Sequence, residues 1–203
     1  HSISKGGCGP TTLAMIATQL SGKIITPVAM AKAAEKAGHW KGFAYWSLFD
    51  WFGEKFGLNT KVVSSNDLTT AKEELKKGNV MAVSGKTVRK GSHTPYTGGH
   101  IVPFIGLDGS NKIIVNDSRG PQYAHAYEDS GLAQGTTNHM RQGWSYSGQI
   151  KIPSDIEVSG DYTGGGVAAG PQASLDKALL IGDSLTVGMK PVLEGKYPNA
   201  NAM

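Results

Sequence analysis

The chain has 203 residues, of which 39% are hydrophobic and 18% are charged, and this balance excludes a chain that is disordered throughout. Glycine accounts for 28 residues without a Gly-X-Y period, which predicts many turns and excludes a collagen-like repeat. The formal net charge of +4 at pH 7 favours anionic surfaces such as a cell wall, but it is too small to indicate nucleic-acid binding.

Cys8 is the only cysteine, so the sequence excludes an intramolecular disulfide and a cysteine-based metal cluster. His125 and His139 have no neighbouring ligands at metal spacing, so neither a metal site nor another cofactor is predicted. No apolar run of about 18 residues is present, so no membrane span is predicted. We expect the chain to be a fragment, because it begins at His1 and stops inside a segment typical of a new domain.

Capping signals and apolar spacing predict helices over residues 9–22, 26–38 and 66–77. Between the second and third, one helix face is predicted by four aromatic residues spaced 4, 3 and 4 apart: Tyr45, Phe49, Phe52 and Phe56. Trp40 and Trp46 fall off that face and are candidates for the lining of a cleft.

Shorter apolar and alternating segments then predict strands over residues 80–83, 101–107, 112–116 and 149–152. The Asp-Gly-Ser-Asn sequence at 108–111 predicts a hairpin turn between the second and third of these. Because helices come first and antiparallel strands follow, the predicted fold class is α+β.

The composition changes after residue 152. Residues 153–174 contain Gly164-Gly165-Gly166 and are interpreted as a flexible linker. Residues 175–203 begin with a new apolar strand, but they are too few to form a stable domain.

Cys8 directly precedes the first predicted helix, where the helix dipole and free backbone N–H groups lower the pKa of a thiol. The thiolate is the reactive form of a cysteine nucleophile, and the small residues Gly6, Gly7 and Gly9 would keep the sulfur accessible. The alternative is a buried, inert cysteine, which is common.

A cysteine nucleophile needs a base, and His100 is the best candidate because it opens an apolar strand directly after Gly98-Gly99. The predicted hairpin places Asp117 nearly opposite His100, and side-chain alternation can aim both at one face. A carboxylate in that position orients an imidazole. The alternatives are a solvated strand end for His100 and a turn residue for Asp117.

The segment Gly7–Met15 resembles the nucleophile motif of papain-like cysteine peptidases related to the double-glycine (bacteriocin-leader) peptidases. Residues 98–102 and 115–118 resemble the histidine and aspartate motifs of that family, in the same order. The resemblance covers residues 1–152 and implies a papain-like α+β fold. It implies that Cys8 is the nucleophile, His100 the general base and then acid, and Asp117 the orienting residue of an amide hydrolase.

The chain departs from this family in one respect. A glutamine upstream of the cysteine supplies an oxyanion-hole donor in the family, and residues 1–7 contain none. We expect this residue to belong to a missing N-terminal segment, which leaves the backbone N–H of Cys8 as the donor. Losing one such donor costs about a hundred- to thousandfold in rate.

Residues 180–186 (Leu-Ile-Gly-Asp-Ser-Leu-Thr) resemble the first block of SGNH (GDSL-type) hydrolases, in which the serine is the nucleophile. Ser184 is therefore the candidate nucleophile of a truncated second domain. The later blocks of that family are absent from the chain, so Ser184 is predicted to be inactive here.

The leading hypothesis is a cysteine hydrolase that cleaves peptide or amide bonds, with bacterial cell-wall peptides (peptidoglycan) as its substrate and an extracellular or cell-wall location. This substrate rests on the pairing with an esterase-like segment, and a bacterial or phage source is expected. The alternatives are a weak or inactive binding module of the same fold and a peptidase that removes leaders after Gly-Gly. The predicted partner is a peptide, not nucleic acid, and the sequence leaves the oligomeric state open.

Overall fold

Among the described residues, helices predominate in the first third of the chain and antiparallel strands predominate after it. A computed structural model describes residues 6–87, 94–96, 98–120, 122–133 and 138–162. The helices are α1 (Cys8–Ser21), α2 (Pro27–Lys36), α3 (Ser47–Lys55), α4 (Leu68–Lys76) and α5 (Asp129–Leu132). The strands are β1 (Lys23–Ile24), β2 (Asn59–Val63), β3 (Val80–Thr87), β4 (Gly99–Leu107), β5 (Ile113–Val115), β6 (His125–Tyr127), β7 (Asn138–Ser147) and β8 (Gly160–Asp161).

Six of these strands form one antiparallel sheet in the order β2-β7-β3-β4-β5-β6, and β1 pairs separately with β8. Side chains alternate between the two faces of the sheet, and each face carries a core. Helices α1, α2 and α3 cover one face, against residues such as Ala82 and Trp144. Helix α4 covers the other, against residues such as Val83 and Phe104. The predicted α+β class is confirmed, since helices pack on both faces of an antiparallel sheet.

The capping signals in the sequence set the helix ends as predicted. The Thr26 hydroxyl accepts a hydrogen bond from the Ala29 amide at 3.1 Å and starts α2. The Asp67 carboxylate accepts from the Thr70 amide at 3.0 Å and starts α4. Gly22 ends α1 with a φ of 67°, a left-handed conformation that glycine adopts at low cost.

The aromatic segment follows its predicted pattern only in part. Phe49, Phe52 and Phe56 are fully buried, but Tyr45 precedes α3 and is 38% exposed, so its place on the buried face was wrongly predicted. Trp40 was a candidate for a cleft and is instead a core residue, 2% exposed. Its indole N–H donates to the Gly6 carbonyl at 3.1 Å, which fixes the ring beneath the start of α1.

The strand predictions differ from the structure on the side of the sheet where β2 pairs with β7. Residues 149–152 form no strand, although Ile150 and Ile152 alternate, because both pack half-buried on the helical core and the Lys151 amide donates to Phe56 at 2.8 Å. The ten residues of β7 were not predicted, since Arg141, Gln142 and Gly143 interrupt its apolar alternation.

The region predicted as a linker begins with residues that contact the helices. The Ile156 side chain is buried in the helical core, and the Ser159 and Tyr162 amides donate to Ile24 and Gly22. Residues 163–203, which hold the rest of that region and the segment with Ser184, lie outside the described residues. In the described part of the chain, no helix has the length and apolar character that crossing a membrane requires.

A buried carboxylate joins α4 to the sheet. Glu74 accepts hydrogen bonds from Lys61 at 2.8 Å, Lys77 at 2.9 Å, Asn79 at 2.8 Å and Ser145 at 3.2 Å. Burial opposes its ionisation, but these donors outweigh burial and lower the pKa of Glu74 from 4.5 to about 2.

Because the folded-state pKa is depressed, Glu74 contributes stability above its unfolded pKa and loses that contribution as the pH falls from 4.5 toward 2. We expect Glu74→Gln to lower the free energy of unfolding at pH 7 by about 1–3 kcal/mol. The difference from the wild-type protein should shrink as the pH falls through this range. Urea unfolding at several pH values measures it, with the exposed neighbour Glu73→Gln as the control. A constant difference between pH 7 and pH 3 would contradict the assignment.

Candidate active site

Cys8 is the first residue of α1, directly after the N-cap residue Gly7. The first backbone N–H groups of a helix have no partner within the helix and carry the positive end of its dipole. The first turn of α1 contains no acidic residue, so no carboxylate of the helix itself weakens this field. The position therefore favours a thiolate at Cys8.

The start of α1 packs against the start of β4 and against the segment that leads into α3. A Cβ atom at Gly9 would lie 2.8 Å from the Ala44 Cβ and 3.1 Å from Leu48, so only glycine lets α1 approach that segment so closely. The buried Thr12 hydroxyl donates to the Ile101 carbonyl at 3.1 Å. Since Ile101 follows His100 in the strand, these contacts bring the thiol beside the imidazole.

His100 lies in β4 opposite Gly85 of β3. Its Nε2 is 3.1 Å from Asp117 Oδ1, and its side chain also hydrogen-bonds to Cys8. With Nε2 facing the carboxylate, Nδ1 is the ring nitrogen left for the thiol. An anionic Asp117 selects the tautomer with the proton on Nε2, which makes Nδ1 the acceptor.

Asp117 follows β5, and its side chain is fully buried. The hairpin turn at residues 108–111 forms as predicted, with the Asp108 amide donating to Lys112 at 3.0 Å. The pairing of β4 with β5 shifts by one residue between Phe104 and Gly106. The structure thus brings Cys8, His100 and Asp117 together.

The electrostatics of these three groups support an ion pair. Burial opposes ionisation of Cys8, but the hydrogen bond and charge of His100 and the Ile101 and Gly9 amides lower the pKa of the thiol. Burial also disfavours the imidazolium, yet Asp117 and Cys8 raise the pKa of His100. The pKa of Asp117 is lowered, against its burial, by His100 and Arg119. The lowered pKa of Cys8 and the raised pKa of His100 widen the pH range in which the thiolate and the imidazolium coexist.

Arg119 belongs to this cluster, although the sequence did not single it out. Its Nη2 and Nε lie 2.7 and 2.9 Å from Asp117 Oδ2. Its backbone amide donates to Asp117 Oδ1 at 3.0 Å. The available signal was an arginine two residues after the candidate aspartate, which the sequence alone could not distinguish from a solvated turn residue.

The loop that packs next to the nucleophile carries an exposed aromatic residue. The loop at 42–44 packs against Gly6 and Gly9, on both sides of Cys8 in the chain. On this loop Phe43 is 56% exposed, and after it Trp46 is 46% exposed. The Arg141 guanidinium lies 5.6 Å from the Trp46 ring centroid.

Ser184, the candidate nucleophile of a second domain, lies outside the described residues. Within the described ranges, no group of three or more His, Cys, Asp or Glu side chains could hold a metal ion.

Comparison with known proteins agrees with this geometry. A family model described as the Peptidase_C39 like family matches residues 1–152, three quarters of the chain, and a search of curated proteins finds no match. The matched region contains the helices, the sheet and the Cys8–His100–Asp117 cluster. The chain therefore belongs to the Peptidase_C39 like family, and this membership indicates a cysteine peptidase.

Proposed function

We propose that the protein hydrolyses peptide bonds with Cys8 as nucleophile, His100 as general base and acid, and Asp117 as the residue that orients His100. The observation that carries this proposal is the hydrogen-bonded series from the Cys8 thiol through His100 to the buried Asp117 carboxylate. The same series favours catalysis over a non-catalytic binding module, because binding alone requires no ionised thiol.

In the acylation step, the Cys8 thiolate attacks the scissile carbonyl carbon and forms a tetrahedral oxyanion. The proposed donor to this oxyanion is the Cys8 backbone N–H, because the first N–H groups of α1 have no partner within the helix. The His100 imidazolium then gives its Nδ1 proton to the leaving nitrogen, and the C–N bond breaks to leave a thioester.

In the deacylation step, water gives a proton to Nδ1 of His100 and its oxygen attacks the thioester carbonyl. The C–S bond breaks, and Cys8 leaves as the thiolate beside a restored imidazolium. Asp117 remains an anion in both steps and holds the ring by its Nε2 proton.

For the substrate we favour cell-wall peptides and a location outside the cell. The net charge of +4 suits an anionic wall, and residues 180–186 resemble an esterase block that a wall-remodelling enzyme could carry. The exposed Phe43, on the loop that packs against Gly6 and Gly9, would contact apolar groups of a bound peptide. A leader peptidase specific for Gly-Gly remains the alternative substrate assignment.

We expect the wild-type protein to release new amino termini from peptidoglycan or its peptides, and Cys8→Ala to lose about a thousandfold or more of this activity. Amino-group release and mass spectrometry of acid-quenched protein would detect the products and the thioester. His139→Ala, whose ring bonds to Ser65 and Asn66, is the control. Cleavage of Gly-Gly peptides alone would move the assignment to a leader peptidase, and full activity of Cys8→Ala would refute the mechanism.

The ionised pair is measurable without a substrate. We expect the rate of Cys8 alkylation by iodoacetamide to show a pH midpoint well below the ordinary cysteine pKa of about 8.5. In His100→Ala the midpoint should rise to the ordinary value or above it, because burial then acts without the imidazolium. Equal midpoints in the two proteins would contradict the pairing.

The exposed Phe43 side chain predicts an effect on substrate binding. Phe43→Ala should raise KM for peptide hydrolysis by about fivefold or more and leave kcat nearly unchanged, because it removes apolar contact without touching the reacting atoms. Steady-state kinetics measures both constants. Val62→Ala, an exposed apolar residue on β2, is the matched control. A loss confined to kcat would show that Phe43 does not contribute to substrate binding.

A further inference from the structure

Arg119 is fixed at three points around the orienting carboxylate. Its guanidinium forms an ion pair with Asp117, with Nη2 at 2.7 Å from Oδ2. Nη2 also donates to the Pro95 carbonyl, and the guanidinium carbon lies 4.1 Å from the centroid of the Tyr123 ring. Asp117 and Tyr123 lie within four residues of Arg119, whereas Pro95 is distant in sequence, so Arg119 joins the Pro95 segment to its own turn around one buried charge.

The two oxygens of Asp117 have different partners. Oδ1 receives His100 Nε2 and the Arg119 amide, with a longer contact from Arg119 Nε at 3.2 Å. Within the described part of the chain, Oδ2 receives only the Arg119 side chain, from Nε and Nη2. The guanidinium thereby fixes the rotation of the carboxylate, and this rotation decides whether Oδ1 points at His100.

We propose that Arg119 is a positioning residue for the reaction, which acts through Asp117 by holding its carboxylate ionised and turned toward His100. This inference rests on the proposed function, since it assigns Arg119 a part in the same thiolate–imidazolium chemistry. The planar fork of arginine serves it because two donors reach Oδ2 while one also reaches Pro95. The ammonium of lysine carries the charge but cannot reproduce this geometry.

The groups that face Asp117 determine the expected pH effect. They are His100 from β4, Arg119 from the following turn and Tyr127 from β6. Burial and the Asp117 charge raise the pKa of Tyr127 far above neutrality, so Tyr127 stays neutral in the working range. Without Arg119, burial is opposed mainly by His100, so the pKa of Asp117 is higher than in the wild-type protein. Below that pKa the imidazolium loses its counter-charge, and the Cys8 thiolate forms only at higher pH.

The experiment compares the full chain with Arg119→Met and Arg119→Lys, and it uses Lys72→Met, which breaks an exposed ion pair with Asp129, as the control. Circular dichroism and thermal unfolding establish that each variant is folded. For folded variants, the pH dependence of Cys8 alkylation by iodoacetamide and of peptide hydrolysis is measured.

We expect Arg119→Met to lose about a hundredfold in kcat at unchanged KM, the cost typical of a misplaced reacting group. Its alkylation midpoint should move to higher pH. Arg119→Lys should keep a midpoint near that of the wild type and recover only part of kcat, because it restores the charge without the fork.

Three outcomes would overturn the proposal. The first is a folded Arg119→Met that keeps the wild-type pH profile and kcat, and the second is an Arg119→Lys that keeps the full kcat. The third is a loss of thermal stability in either variant while the folded protein keeps wild-type kinetics. If Arg119→Met does not fold, the Lys variant decides the question. If the wild-type protein cleaves no peptide, the proposed function fails, while the alkylation profiles still test the link from Arg119 to Cys8.

Discussion

The packing of the start of α1 against the start of β4 is the constraint on which the site depends. Thr12 bonds to the Ile101 carbonyl, and Gly9 leaves room for Ala44 and Leu48 beside the helix. This packing joins the helical layer to the sheet where α1 begins with Cys8 and β4 begins with Gly99 and His100. The helix supplies a thiol at its positive end and the strand supplies an imidazole, so one packing contact creates both the proximity and the electrostatics.

Two buried carboxylates serve the fold in different ways. Glu74 is surrounded by lysine, amide and hydroxyl donors, and it ties α4 to β2 and β7. Asp117 divides its two oxygens between His100 and Arg119. Each charge is offset by several donors, as burial requires. Only Asp117 faces a group that changes protonation during the proposed reaction, so its environment bears on rate as well as on stability.

The sequence predicted the local features well because their signals are local. The caps at Thr26 and Asp67 and the glycine end of α1 involve residues at most four apart. The hairpin between β4 and β5 was predicted for the same reason, since its turn residues are contiguous. In contrast, β7 depends on pairing with β2 and β3, which lie far away in the chain. Its polar residues interrupt the apolar alternation that would have predicted a strand. Tyr45 was misplaced because aromatic spacing continues past the point where α3 begins.

The sequence by itself determined that Cys8 stands at a helix start and that a histidine and an aspartate flank one hairpin. These are properties of neighbouring residues, and the motif around Cys8 indicated the family to which the chain belongs. Only the tertiary structure decided that Trp40 is a core residue and that Arg119 holds the carboxylate. Both outcomes depend on segments that are distant in sequence, Gly6 for Trp40 and Pro95 for Arg119. No local pattern encodes such partners, because they are chosen when the layers pack.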